Sequence, residues 1–290
     1  MRLLVRTTIA FLFVVGVAAP ARAGAIIPWV ADASLAANDD GSTGLINLGF
    51  GINFYGISTN QVYINNNGNI TFSGPLGTYT PFPILTTGVA MIAPFFADVD
   101  TSSAPTNSEL VNWGDGTFDG RTAFAINWGT SGGIGVDYFA ASTSHTNSNN
   151  FQLIIVDRSD TGAGNFDFMF NYDLIQWEAG QASGSDAQGC GGSSARVGWS
   201  NGSSATFELA GSAVDGAFID SGTCVTSPGS NALIFNSLNS NVNGRYLFSV
   251  REGSVVGPGP VVPEPSTLLL LGGGLVVVAA RLRSRRNAAR

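Results

Sequence analysis

The sequence predicts an all-β protein built as a single β-sandwich-like domain. Three observations carry that prediction. Apolar residues in the middle of the chain recur with a period of two, the repeat of a strand whose successive side chains face opposite sides of a sheet. Turn formers are dense, with 38 glycines among 290 residues and many Asn, Ser and Thr. Charged residues make up only 11% of the chain, against roughly 25% in ordinary soluble domains. With so few charged helix formers, a helical bundle or coiled coil is disfavoured.

The elements follow in order. Gln61-Val62-Tyr63-Ile64-Asn65 and Ile70-Thr71-Phe72 flank Asn66-Asn67-Gly68-Asn69. Asn-Gly supplies the positive φ angles of a tight turn, so this is a hairpin. Ala90 to Phe96 is an apolar run from which Asp98 and Asp100 emerge. Thr122, Phe124, Ile126 and Trp128 alternate with smaller residues, as in a half-buried strand. Phe151 to Val156 is apolar, Asp157 to Gly164 is turn-rich, and Phe166, Phe168, Phe170 and Tyr172 then share one face. This reads as a second hairpin with its aromatic face inward. Later strands are expected at Ala195–Trp199, Thr206–Leu209 and Tyr246–Val250. The β domain is placed at residues 24–252, and residues 253–262, with Gly257-Pro258-Gly259-Pro260, form a linker.

Both ends read as targeting segments. Residues 1–23 have the form of a secretory signal helix: Arg2 and Arg6, an apolar stretch from Ile9 to Ala19, then the small-x-small pattern Ala21-Arg22-Ala23. Cleavage there puts Gly24 or a neighbour at the mature N-terminus. At the other end Pro263-Glu264-Pro265 precedes an apolar run, 268–280, and a cluster containing Arg281, Arg283, Arg285 and Arg286. The run reads as a short transmembrane helix, with the arginines keeping the C-terminus cytoplasmic and the body exported. Pro-Glu-Pro, a short apolar helix and terminal arginines in that order resemble the PEP-CTERM sorting signal of Gram-negative bacteria, over residues 263–290. The resemblance implies cleavage near Pro263-Glu264-Pro265 by an exosortase-like membrane transpeptidase. It also implies delivery to the cell surface, often beside exopolysaccharide, with release or anchoring at the inner membrane.

The chain has no lysine, and residues 24–260 hold five arginines against 19 acids, a net of −14. Such a body repels a phosphate backbone, which excludes nucleic-acid partners. Cys190 and Cys224 form an even pair in an exported, oxidising setting, which suggests one disulfide rather than two free thiols.

Candidate chemistry is sparse. If the strand continued through Asp98 and Asp100, both carboxylates would face one side, roughly 7 Å apart. They are the candidate ligands for Ca²⁺, a hard cation that takes several oxygens; the alternative is that they bond turn amides or face solvent. No other cofactor is expected. Asp115-Gly116-Thr117-Phe118-Asp119-Gly120 mimics the start of an EF-hand loop, but the twelfth position is Ile126 rather than Glu, and a turn is favoured. The single histidine, His145, lies in a polar loop without a nucleophile elbow, and the acids are too scattered to nominate a glycosidase pair, so no catalytic residue is assigned. Trp113, Trp128, Trp177 and Trp199 are either core or a sugar platform, with core favoured at strand spacing.

Several segments are similar to nidogen-like (NIDO) regions. Tyr63 to Phe72 resembles their opening hairpin, and Ile92-Ala93-Pro94-Phe95-Phe96-Ala97-Asp98-Val99-Asp100 their acidic strand end, with Phe96 where Trp is usual. Asn150 to Ile154, Tyr172 to Trp177, Ala195 to Ser200, Phe207 to Ser212 (with Ala210 for Pro) and Asn241 to Phe248 follow in family order, over about residues 45–250. The family includes extracellular-matrix and cell-surface proteins, and the resemblance implies adhesion or matrix assembly without catalysis. The expectation is therefore a secreted or cell-surface adhesion protein. The alternative is an exopolysaccharide-binding module, and a glycan-active enzyme stands third.

Overall fold

The computed structural model describes residues 24–86, 88–130, 132–138 and 147–257. Ala21, Ala23, His145, the sorting motif and the expected signal and transmembrane helices lie outside the described residues. Among the described residues no helix is long and apolar enough to cross a membrane.

The strands are, in chain order, β1 (Ala33–Ser34), β2 (Ser42–Phe54), β3 (Ile57–Asn65), β4 (Asn69–Thr71), β5 (Ala90–Phe96), β6 (Val111–Phe118), β7 (Arg121–Trp128), β8 (Asn149–Asp157), β9 (Phe166–Ile175), β10 (Arg196–Asn201), β11 (Thr206–Glu208), β12 (Arg245–Arg251) and β13 (Ser254–Val256). They form two sheets, β1-β6-β7-β8-β9-β12-β13 and β11-β10-β5-β4-β3-β2. Every pair within them is antiparallel. The sheets pack face to face as a β-sandwich. Phe95 of β5 meets Phe151 of β8, and Phe54 of β2 meets Phe166 of β9.

The expected aromatic face is in this core: Phe166, Phe168, Phe170 and Tyr172 are fully buried between the sheets. All four candidate platform tryptophans pack there too, with Trp128 and Trp177 fully buried. They supply core area, not a sugar-stacking surface. Asp119 and Gly120, both at positive φ, make the two-residue turn between β6 and β7. The EF-hand-like patch is thus the end of one strand and a hairpin turn.

β8 is buried on both faces, which is why the run Leu153-Ile154-Ile155-Val156 shows no polar alternation. On the outer face of the seven-stranded sheet, Ala123, Ala125, Ile154, Val156 and Met169 are covered by Ile27, Trp29, Phe118 and Leu247. Beside this patch a polar ladder crosses five strands. Asn127 donates to Asn112 (2.8 Å), Gln152 to Asn127 (2.8 Å), Asn171 to Gln152 (2.9 Å) and Arg245 to Asn171 (2.9 Å). Segment 24–35 lies across it. Gln152 holds both the N–H and the C=O of Ile27, at 3.1 and 2.9 Å.

Candidate functional site

The β3–β4 turn is the foundation of one end of the sandwich. Turns normally face water, yet Asn65, Asn66, Asn67 and Asn69 are completely buried. Buried amides must be hydrogen-bonded, and these are. Asn65 donates to Asn69 (2.8 Å) and Thr71 (3.1 Å) and accepts from Ser42 (2.7 Å) and the Leu76 N–H (3.0 Å). Asn66 donates to the carbonyls of Asp39 and Val99, and its own carbonyl accepts from Trp128 Nε1 (2.9 Å). Asn67 donates to Asp40 Oδ1 (2.8 Å) and accepts from the Val99 N–H (2.9 Å). Two asparagine side chains thus join segment 38–41 to segment 97–101.

That stitching brings carboxylates together. One oxygen from each of Asp39, Asp40 and Asp98 lies within 4.8 Å of the others. β5 ends at Phe96, so Asp98 is on the irregular segment beyond it and not on a continued strand. Asp98 is buried, with Gly180 against it: a Cβ there would come within 2.3 Å of its Oδ2. Asp100 is bonded locally. Its Oδ1 accepts from the Ser102 N–H (2.7 Å), and its own N–H donates to the Asp137 carbonyl (3.0 Å). Asp98 is thus clustered with Asp39 and Asp40, and the charge of Asp100 acts on Asp39.

The electrostatics follow from crowding. Burial, and then the charges of Asp39 and Asp40, push the Asp98 carboxyl up to about 6, against hydrogen bonds from Ser183. Burial, and then Asp100 and Asp40, push Asp39 up to about 6. Three mutually repelling oxygens at chelating distance suit a hard divalent cation.

Segment 178–224 buttresses this end. Cys190 and Cys224 form the expected disulfide. Buried Glu178 accepts from the N–H groups of Phe218 (2.6 Å) and Gly216 (3.1 Å), and its burial pushes it up to about 7. Sequence reasoning missed Asp39, Asp40 and Glu178. The run Asn38-Asp39-Asp40-Gly41 carries an ordinary turn signal, and only the buried asparagines bring it to Asp98.

With this geometry in hand, comparison with known proteins gives the class. The chain belongs to the nidogen-like domain family, whose model matches residues 60–252, and the PEP-CTERM protein-sorting motif matches residues 261–286. Asp98 and the asparagine turn lie inside the family span, while Asp39 and Asp40 precede it. Similar relatives are the alpha-tectorins of Homo sapiens and Mus musculus, each 31% identical, and of Gallus gallus, 34% identical. Each match covers 79% of this chain but only 10–11% of the relative, so the chain spans about a tenth of their length. No solved structure matches. Family and sorting motif together make this an exported, cell-surface protein.

Proposed function

We propose that this protein is a cell-matrix adhesion module, delivered by an exosortase-like transpeptidase and binding extracellular matrix or exopolysaccharide once at the surface. The observation that carries the reading is one chain in which a nidogen-like domain, residues 60–252, is followed by a sorting motif, residues 261–286. A binding role without catalysis also suits a sandwich whose aromatic residues are spent on its core. The test is attachment of a strain lacking the protein. Loss of attachment, restored by the wild-type chain, supports the reading, and undiminished attachment refutes it.

Sorting has its own expected outcome. Mass spectrometry of the surface-localised protein should find a C-terminus near Pro265. A mature form that keeps Arg290, or normal processing of Glu264→Ala, contradicts exosortase-type cleavage.

The acidic cluster adds a cation to the proposal. Asp39, Asp40 and Asp98 hold Ca²⁺, and Asp100 adds negative charge from outside the cluster. In the cation-free protein Asp39, Asp98 and Glu178 bind protons more tightly when folded than when unfolded. Stability should therefore fall as pH rises from about 4 to about 7. Ca²⁺ restores it at pH ~7.5, by about 2.7 kcal/mol at a hundred times the dissociation constant. The gain shrinks near pH ~5, where Asp39 and Asp98 are protonated. Melting curves with NaCl at matched ionic strength are the control. A Ca²⁺ shift no larger than that control, or one that survives Asp98→Asn, makes these carboxylates structural.

A further inference from the structure

We propose that Asp173 is the docking site for the α-ammonium group of Gly24, so that cutting the chain after Ala23 creates an ion pair that pins segment 24–35 to the seven-stranded sheet. The proposal rests on reading residues 1–23 as a removed export signal. A Cβ on Gly24 would lie 1.8 Å from Asp173 Oδ1. The Gly24 Cα is thus within about 3.3 Å of that oxygen, and its nitrogen within about 4.8 Å. Glycine leaves this approach open, whereas a side chain would run into the carboxylate.

The neighbouring backbone is held, so the position is defined. The Ala25 N–H donates to the Tyr172 carbonyl at 3.1 Å, and the Ala25 carbonyl accepts from Arg245 Nη2 at 3.2 Å. Beyond it, Gln152 grips Ile27 and Trp29 Nε1 donates to the Gly114 carbonyl at 2.9 Å. Among the described residues, the charged groups placed at this corner include Asp173 on β9 and Arg245 on β12. Arg245 is engaged by Asn171, lies 5.8 Å over the Phe118 ring and feels Asp119 from the β6–β7 turn.

Cleavage changes the chemistry at this point. A membrane signal protease adds water across the Ala23–Gly24 bond. The C–N bond breaks, a C–O bond forms on Ala23, and the freed nitrogen takes up a proton. A neutral amide with one donor becomes an ammonium with three donors and a positive charge. Because the chain has no lysine, this is the one primary amine of the exported protein. The segment it pins carries β1, which pairs with β6, and the Ile27 and Trp29 cover of the outer apolar patch. Processing and closure of that face are thereby linked.

The single amine makes the test clean. The full chain is expressed with its own leader, collected after export, and its N-terminus read by mass spectrometry. Reductive methylation with isotope-labelled formaldehyde then marks only that amine, whose titration is followed by NMR. The mature chain should begin at Gly24, and its amine should titrate about half a pH unit or more above the ordinary 7.7–8.0. In Asp173→Asn, and in urea-unfolded wild type, it should return to that range. A chain that starts at Gly24 but titrates alike in the folded and unfolded states overturns the docking. A chain that starts elsewhere overturns the cleavage reading and the proposal with it.

Discussion

Gly68→Ala is expected to prevent the chain from accumulating in folded form. Gly68 sits at φ +71, and a Cβ there would lie 1.7 Å from the Phe95 carbonyl oxygen and 2.7 Å from its carbon. Neither atom can swing away, because both are backbone atoms of β5, whose Phe95 N–H is bonded to the Gly68 carbonyl at 3.2 Å. Relief would require the Asn66–Gly68 turn to leave β5, breaking the Asn66 and Asn67 bonds that hold Asp39 and Asp40 against Asp98. The cost should exceed about 4 kcal/mol, a large share of the 5–15 kcal/mol that stabilises a typical domain. Gly56→Ala is the matched control: it has φ +88 but nothing within 4 Å of the added carbon. It should lose only the left-handed backbone term, about 1–2 kcal/mol. Urea unfolding of both variants separates clash from backbone strain. A Gly68→Ala protein as stable as Gly56→Ala contradicts the packing described here.

Loss of the Cys190–Cys224 bridge should have the next largest effect. It closes a loop of 34 residues, for which the chain-entropy estimate is about 3–4 kcal/mol. Segment 178–194 has no strand of its own and is held by turn and side-chain hydrogen bonds together with the bridge. It also carries Gly180 and Ser183, the neighbours of Asp98, and the Ser193 N–H holds the Ser183 carbonyl at 2.9 Å. Cys190→Ser with Cys224→Ser should therefore lower the unfolding free energy by that amount and also weaken the Ca²⁺-dependent stabilisation. Thiol labelling of the native, unreduced protein should find no reactive cysteine. Unchanged stability on reduction would mean that the polar contacts hold the segment unaided.

What the sequence revealed follows from which interactions are local. The β8–β9 hairpin was legible because its strands adjoin in the chain and four aromatic residues mark one face. β2 was not, although Ile46, Leu48, Phe50, Ile52 and Phe54 alternate. Its pairing with β3 jumps from Asn47↔Gln61 to Ile52↔Thr59, and the glycines in that bulge look like turn residues. β1 and β13, two and three residues long, exist only because β6 and β12 offer edges to pair with. The asparagine turn was read for its φ angles, yet within it only Gly68 has positive φ. The asparagines matter for what their side chains bond, and that depends on segments distant in the chain. Asp98 was visible at the end of an apolar run for the same reason that Asp39 and Asp40 were hidden: a single sequence shows a residue's neighbours along the chain, not across the fold.

The central claim is that the exported domain binds the material around the cell. It is tested most directly by sedimenting the purified, processed protein with the insoluble extracellular matrix of cells that lack it, across a range of protein concentrations, with Ca²⁺ or with a chelator. The account predicts saturable co-sedimentation, strongest with Ca²⁺ at neutral pH and reduced in Asp98→Asn. Protein that stays in the supernatant at every concentration, in both conditions, would contradict it.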